Sequence, residues 1–141
     1  MTAAMTERRA EVFFYGLFMD QDLLRGKGIA PVDAEVAWVD GLALRIGKRA
    51  ALVPCPQSRA YGVVMSLRPD DLRRLYSEAG LEAYRPEAVL VHLASGGMIA
   101  AVCYNLAQAP AAGEHNSDYA AKLRVVARKV GLPADYIDSL Q

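Results

Sequence analysis

Glu78 is the carboxylate whose position in the sequence most suggests a chemical role. It falls in the last turn of a helix predicted to begin at Pro69 and to stop at Gly80. The negative end of a helix disfavours a carboxylate and raises its pKa, and acid–base catalysis near neutral pH needs such a raised carboxyl. The alternative is a solvated glutamate at a frayed helix end, paired with Arg74 four residues earlier.

A second feature that could bind a ligand is the glycine turn at Gly16. It joins a predicted strand, residues 12–16, to a short helix, residues 21–25, which Asp20 caps. Backbone N–H groups beside a helix N-terminus form a general anion site, so residues 16–19 could hold a carboxylate. The alternative is that the Tyr15–Gly16 pair merely ends a core strand.

The cysteines and histidines do not form a recognisable reactive or metal-binding motif. Cys55 and Cys103 are the two cysteines, and His92 and His115 lie far from each other in sequence, without the spacing of a zinc site. Cys103 lies in an apolar run and is typical of a small buried hydrophobe. Cys55 stands between two prolines, and the pairing state of both thiols is open. We expect no metal and no cofactor, because a Rossmann fingerprint and a P-loop are also absent.

Composition restricts the class of protein and its partners. The chain has 141 residues, enough for one domain, of which 53% are hydrophobic and 23% charged. Sixteen basic residues balance sixteen acidic ones. We therefore expect no nucleic-acid or membrane partner, since both require an electropositive face. The N-terminus lacks a signal peptide's apolar region and no stretch could span a bilayer, which predicts a cytoplasmic protein.

The hydrophobic pattern predicts a single α+β domain. Residues 1–10 are expected to be a disordered lead-in, and residues 11–141 the folded domain. Hairpin-like turns at Asp40–Gly41 and at residues 95–97 favour a small mixed or antiparallel, barrel-like sheet with flanking helices. The predicted strands are residues 12–16, two within 34–46, 50–53, 61–67, 88–94 and 98–106. The predicted helices are residues 21–25, 69–79, a long one that begins near Tyr119 and ends at Gly131, and a short one after Pro133.

Five segments, in order, resemble those of the γ-glutamylcyclotransferase-like family. Residues 13–19 (FFYGLFM) resemble its opening loop, 61–64 (YGVV) its glycine-bearing strand, and 67–72 (LRPDDL) the start of its central helix. Residues 84–89 (YRPEAV) and 119–140 resemble its later tyrosine motif and its C-terminal segment. The resemblance covers roughly residues 12–140.

This resemblance implies a fold, a reaction and a site. Family members have a compact barrel-like core, need no cofactor, and cyclise a γ-glutamyl group by attack of its own α-amine, releasing 5-oxoproline and an amine. By position Glu78 matches the family's acid–base glutamate, with Glu82 as the fallback. The implied partner is a small γ-glutamyl or related amide. The implied substrate-binding residues are Tyr15, Gly16, Leu17, Phe18, Met19, Tyr84 and Tyr119.

Two departures from the family pattern leave a second interpretation open. Leu17 and Phe18 stand where the family has a small polar serine followed by Asn or Leu. Ala79 separates Glu78 from Gly80, where the family often has Glu-Gly. The alternative is therefore a catalytically divergent relative that keeps the fold and serves as a small-molecule-binding or interaction module.

Overall fold

Five strands close into a barrel in the order β1–β3–β2–β4–β5. The structure is a computed structural model and describes residues 8–141. The strands are β1 (Ala10–Phe14), β2 (Val32–Ile46), β3 (Ala50–Leu67), β4 (Tyr84–Leu93) and β5 (Met98–Leu106). All neighbouring pairs are antiparallel except β1 and β5, which are parallel. The α+β class and the barrel-like mixed sheet predicted from the sequence are confirmed.

Strands β2 and β3 form one long hairpin, and each continues past a position where the sequence predicted a strand to end. The tight turn expected at Asp40–Gly41 is wrong: β2 continues through it, and Gly41 (φ +83°) takes up a register shift instead. A residue in this conformation kinks a strand without ending it, as at a β-bulge. The end of a strand expected at Pro54 is also wrong. Pro54 pairs with Leu42, and β3 continues beyond the irregularity, a place where a proline's missing N–H is tolerated.

The β4–β5 hairpin completes the barrel and pairs with its neighbouring strands at only a few positions. Within the hairpin the ladder is continuous from Tyr84 opposite Leu106 to His92 opposite Met98. Across residues 8–141, β5 pairs with β1 only at Val102, opposite Val12, and β4 pairs with β2 at two positions. The hairpin is thus joined to the rest of the sheet by few backbone pairs.

In the described part of the chain, four helices pack around the barrel. They are α1 (Gln21–Gly26), α2 (Pro69–Leu75), α3 (Ser117–Val130) and α4 (Ala134–Asp138), and a single 3-10 turn, Leu17–Met19, precedes α1. The Asp20 side chain caps α1 by accepting from the N–H of Asp22, as the sequence predicted. Asn116 caps α3 in the same way, through the N–H of Tyr119.

Helix α2 is shorter than the sequence predicted, and this changes the surroundings of Glu78. The helix ends at Leu75, and Tyr76 is its C-cap. The Ser77 hydroxyl donates to the carbonyl of Arg74 at 2.7 Å, a local hydrogen bond that competes with helix continuation. Glu78 therefore lies in the turn after the helix, and the expectation that it occupies the last helical turn is wrong.

Two apolar clusters fill the structure, one inside the barrel and one beneath the helices. Phe13, Val64 and Cys103 belong to the first cluster, and Phe14, Met65 and Leu123 to the second. Alternate residues of β1 thus serve different clusters, as the period of a strand requires. Both cysteines are free thiols, and burial raises the pKa of Cys103 to about 12.

The predicted lead-in, residues 1–10, falls mostly outside the described residues. Ala10 is already part of β1, and residues 1–7 are not described. Among residues 8–141, no helix combines the length and the apolar character that crossing a bilayer requires.

Candidate functional site

A cavity of about 200 Å³ opens at the end of the barrel where the segment after β1 meets the C-cap of α2. We call it the tyrosine cavity. The lining residues come from the loop after β1, from the β2–β3 and β4–β5 hairpins, from the C-cap of α2 and from α3. Five parts of the fold therefore set the shape of the cavity. The lining residues are Phe14, Tyr15, Gly16, Leu17, Phe18, Lys48, Arg49, Ala50, Tyr76, Leu81, Tyr84, Tyr104 and Tyr119.

Packed aromatic rings form one wall of the tyrosine cavity. Phe18 meets Phe14 and Tyr76 edge to face, with ring centroids 6.0 and 5.7 Å apart. Tyr76 stacks on Tyr104 with parallel rings 4.0 Å apart, and Tyr84 lies 6.1 Å from Tyr76. Such pairs hold one another in fixed orientations, and each adds about 1 kcal/mol beyond area burial. The wall is therefore rigid and largely apolar.

Tyr15 is fixed at the base of the tyrosine cavity by its hydroxyl group. The hydroxyl donates to the carbonyl oxygen of Tyr104 at 2.9 Å and lies 3.3 Å from Oδ1 of Asn105. Asn105 is itself buried and exchanges two 2.9 Å hydrogen bonds with the backbone of Leu52. Burial raises the pKa of Tyr15 far above its ordinary value, so its phenol is neutral at physiological pH.

Tyr84 and Tyr119 face the tyrosine cavity from opposite elements, β4 and α3. The Tyr84 hydroxyl donates to the carbonyl of Ala50 at 2.6 Å, which ties β4 to the start of β3. Burial raises the pKa of Tyr119 to about 12, and the nearby amide of Leu17 partly opposes this shift. A Cβ atom on Gly16 would lie 2.6 Å from the Tyr119 hydroxyl oxygen. Glycine at this position is therefore what allows α3 to approach the loop.

Two cations, Lys48 and Arg49, lie at the rim of the tyrosine cavity. They belong to the turn between β2 and β3, where the Gly47 N–H donates to the Arg49 carbonyl at 3.1 Å. Lys48 is exposed and Arg49 is half-buried. Within residues 8–141 the Arg49 guanidinium has no hydrogen-bond or ion-pair partner. The charge of Arg49 also helps to lower the pKa of Glu82, and a half-buried guanidinium that makes no hydrogen bond can still attach an anion.

The Glu78 carboxylate points to Lys27 at the end of α1. The Lys27 Nζ atom lies 2.9 Å from both carboxylate oxygens, and the two side chains are 30% and 40% exposed. Glu78 is not among the lining residues of the tyrosine cavity. The alternative partner considered from the sequence, Arg74, pairs with Asp71 instead. The acid–base role of Glu78 stays a prediction.

Glu82, the alternative candidate for the acid–base residue, is held by a hydrogen bond from the turn that contains Glu78. Both of its carboxylate oxygens lie 3.1 Å from the N–H of Gly80. Its own N–H and that of Gly80 lower the pKa of Glu82, and Arg49 contributes in the same direction. This carboxylate is therefore ionised near neutral pH and lacks the raised pKa of a general acid.

Most of the predicted binding residues meet around the tyrosine cavity. Tyr15, Gly16, Leu17, Phe18, Tyr84 and Tyr119 all line it. Met19 instead lies in the core, 1% exposed. The sequence analysis missed Lys48, Arg49, Tyr76 and Tyr104. The basic pair after Gly47, between two predicted strands, was the available signal for the rim, whereas the positions of Tyr76 and Tyr104 carry no comparable signal in the sequence.

Comparison with solved structures shows that the fold is a known one. A structure named γ-glutamyl cyclotransferase matches with a TM-score of 0.78 and 21% identity, over 94% of this chain and 86% of that one. The uncharacterized human protein loc79017 matches with a TM-score of 0.77 and 22% identity, over 95% and 87%. YkqA from Bacillus subtilis gives a TM-score of 0.75 and 21% identity, over 97% of this chain and 57% of YkqA. At these identities the likeness establishes the fold.

Sequence comparison establishes the family. No curated protein sequence matches the chain. The profile of the AIG2-like family matches residues 59–140, which include the second half of β3, all of β4 and β5, and the tyrosines at 76, 84, 104 and 119. The resemblance found in the sequence is thereby confirmed. The chain belongs to the AIG2-like family, and its barrel is that of the γ-glutamyl cyclotransferase-like proteins.

Proposed function

We propose that the protein binds a small carboxylic acid in the tyrosine cavity, with Arg49 as the anchor for the carboxylate. The observation that carries this proposal is the half-buried Arg49 guanidinium, which lines the cavity and makes no hydrogen bond and no ion pair within residues 8–141, although its charge also acts on Glu82. Lys48 adds a second positive charge at the same rim. None of the described residues that line the cavity carries a negative charge.

The size and surface of the tyrosine cavity indicate the size and polarity of the part of the ligand beyond its carboxylate. A volume of about 200 Å³ is below the usual range for drug-sized ligands, so the ligand is about the size of an amino acid. The aromatic wall of Phe18, Tyr76 and Tyr104 favours an apolar body, because burying such a body releases ordered water from both surfaces. A carboxylate at one end would then meet Arg49 at the rim.

Replacing Arg49 should abolish the preference for acids. We expect Arg49→Gln to weaken the binding of 3-phenylpropionate by about tenfold to a hundredfold, the usual value of a hydrogen bond to a charged group. Binding of the neutral 3-phenylpropionamide should be unchanged. Isothermal titration calorimetry measures both, and Arg128→Gln, an exposed arginine on α3, is the charge-matched control. Equal affinity of wild type and Arg49→Gln for the acid would refute the anchor.

A second candidate function is the cyclotransferase reaction, and one observation supports it. Glu78 lies in the turn between Tyr76 and Leu81, and both of these residues line the tyrosine cavity. Breaking the ion pair with Lys27 and re-folding this turn would bring a carboxylate toward the cavity. An exposed ion pair of this kind contributes only about 1 kcal/mol or less, so it is a weak restraint.

We expect the wild-type protein to release no 5-oxoproline from γ-glutamyl amino acids, γ-glutamyl amines or glutathione. The reaction requires a group that removes a proton from the substrate's ammonium and later protonates the leaving amine, and among residues 8–141 no carboxylate lines the tyrosine cavity. Chromatographic measurement of 5-oxoproline tests this. Release that disappears in Glu78→Gln and persists in Glu82→Gln would establish the second candidate instead.

A further inference from the structure

We infer that Glu114 is a positioning residue for the rim of the tyrosine cavity. It belongs to residues 110–116, which lie between β5 and α3 and contact the turn that contains Lys48 and Arg49. We call residues 110–116 the strap and residues 47–49 the rim turn. The inference rests on the proposed function and deepens it, because it names a residue outside the lining that determines how well Arg49 meets a ligand carboxylate.

The Glu114 carboxylate joins the strap to the rim turn through both of its oxygens. Oε1 accepts from the N–H of Lys48 at 2.9 Å, and Oε2 accepts from the N–H of Ala111 at 2.8 Å. The N–H of Glu114 donates to the carbonyl of Ala111 at 3.0 Å, so the strap also holds its own carboxylate in place. The two N–H groups that the carboxylate accepts from, together with the charge of Lys48, lower the pKa of Glu114, which is therefore ionised near neutral pH.

The strap approaches the rim turn most closely at Gly47. This glycine is buried, and a Cβ atom on it would lie 2.5 Å from Cβ of Pro110 and 2.9 Å from Oε1 of Glu114. Atoms at these distances overlap, so the lack of a side chain at Gly47 is what lets the strap lie against the turn. The N–H of Gly47 also donates to the carbonyl of Arg49 at 3.1 Å. The residue that contacts the strap therefore also closes the turn that presents Arg49.

The strap leads directly into α3, which carries the lining residue Tyr119. The Asn116 side chain ends the strap by accepting from the N–H of Tyr119 at 3.0 Å, which caps the helix. Nδ2 of Asn116 lies 3.5 Å from the carbonyl oxygen of Lys48, at the weak limit of a hydrogen bond. Both backbone polar groups of Lys48 thus face the strap, which joins the rim turn to the start of α3.

The position of the rim turn matters because Arg49 would bind a carboxylate through hydrogen bonds, which weaken steeply when distance and angle change. A rim turn released by Glu114 keeps both of its cations but has to be ordered when the acid binds, and this ordering lowers the affinity. A ligand without a carboxylate does not use Arg49 and avoids this loss. The charge of Glu114 acts in the opposite direction, because it repels a ligand anion.

Glu114→Asp tests the inference, because it keeps the charge and shortens the side chain by one methylene, so that it no longer spans both N–H groups. Titration calorimetry of the full chain should show 3-phenylpropionate binding about tenfold more weakly than to wild type, and 3-phenylpropionamide binding unchanged. Gly47→Ala separates the strap from the rim turn by a different route and should have the same effect. Asp118→Glu, a one-methylene change in an exposed carboxylate of α3, is the matched control and should bind both ligands as wild type does.

The outcomes separate this inference from the proposed function. Wild-type affinity of Glu114→Asp for 3-phenylpropionate would overturn the inference and leave acid binding at Arg49 standing. Equal weakening of the acid and the amide would also overturn it, because that result would show a general change of the cavity and no positioning of the rim. Failure of the wild-type protein to bind the acid, with the fold intact by circular dichroism, would refute the proposed function and the inference with it.

Discussion

A Gly62→Ala variant is expected to lose about 3 kcal/mol or more of folding free energy, the upper part of the range for overpacked cores. Gly62 is buried in β3 opposite Ala37. An added Cβ would lie 2.2 Å from the carbonyl oxygen of Phe14 and 2.9 Å from two ring atoms of Phe13. A backbone oxygen cannot move aside as the end of a side chain can, so β1 would have to shift.

Urea unfolding followed by circular dichroism measures this loss. A matched control is Gly113→Ala, since nothing lies within 4 Å of a Cβ at that position. It should change stability by about 0.5 kcal/mol or less. Small domains have about 5–15 kcal/mol of stability in total, so Gly62→Ala should lose a large share of it and unfold at a clearly lower urea concentration than wild type. An unfolding midpoint equal to that of wild type would show that β1 yields at little cost.

Alkaline pH should unfold the protein from about pH 10 upward. Desolvation raises the pKa values of four tyrosines: Tyr15, which is buried, and Tyr76, Tyr119 and Tyr136, which are half-buried. Below the ordinary value of 10.0, folded and unfolded chains both keep these protons, and stability is fully present. Above it the unfolded chain ionises first and binds fewer protons, so stability falls as pH rises toward the folded values, about 12 for Tyr119 and Tyr136.

Each such tyrosine contributes a loss on the order of 1 kcal/mol per pH unit in that window, so the four together remove several kcal/mol. The urea midpoint measured between about pH 8 and about pH 11 should therefore fall steeply above pH 10, together with the appearance of phenolate absorbance. Tyr136→Phe removes one ionisable group and should give a shallower slope. A midpoint that stays constant to pH 11 would contradict the burial of these phenols.

The sequence predicted the barrel and the binding loop because both depend on local patterns. The glycine turn at residues 95–97 marked the hairpin that contains β5, and the glycine after Tyr15 marked the turn that lines the tyrosine cavity. The long strands were divided in error, because Gly41 and Pro54 normally end strands and only the pairing of β2 with β3 shows that they do not. Such pairing brings together residues distant in sequence.

The position of Glu78 could not be read from the sequence for a similar reason. Its partner, Lys27, is 51 residues away, and its distance from the cavity depends on where α2 ends. The Ser77 side chain sets that end by bonding to the carbonyl of Arg74. This local hydrogen bond competes with continuation of the helix, and Glu78 lies in the turn that follows.

The few backbone pairs that join the hairpin of β4 and β5 to the barrel affect its local stability. Proteins open in cooperative units, and a unit with few bonds to the remainder opens at lower free energy than global unfolding. This hairpin carries Tyr84 and Tyr104, so its opening would take one wall from the tyrosine cavity while the β2–β3 hairpin stays intact. A bound acid, which contacts both hairpins, would then slow amide hydrogen exchange in β4 and β5 more than in β2 and β3.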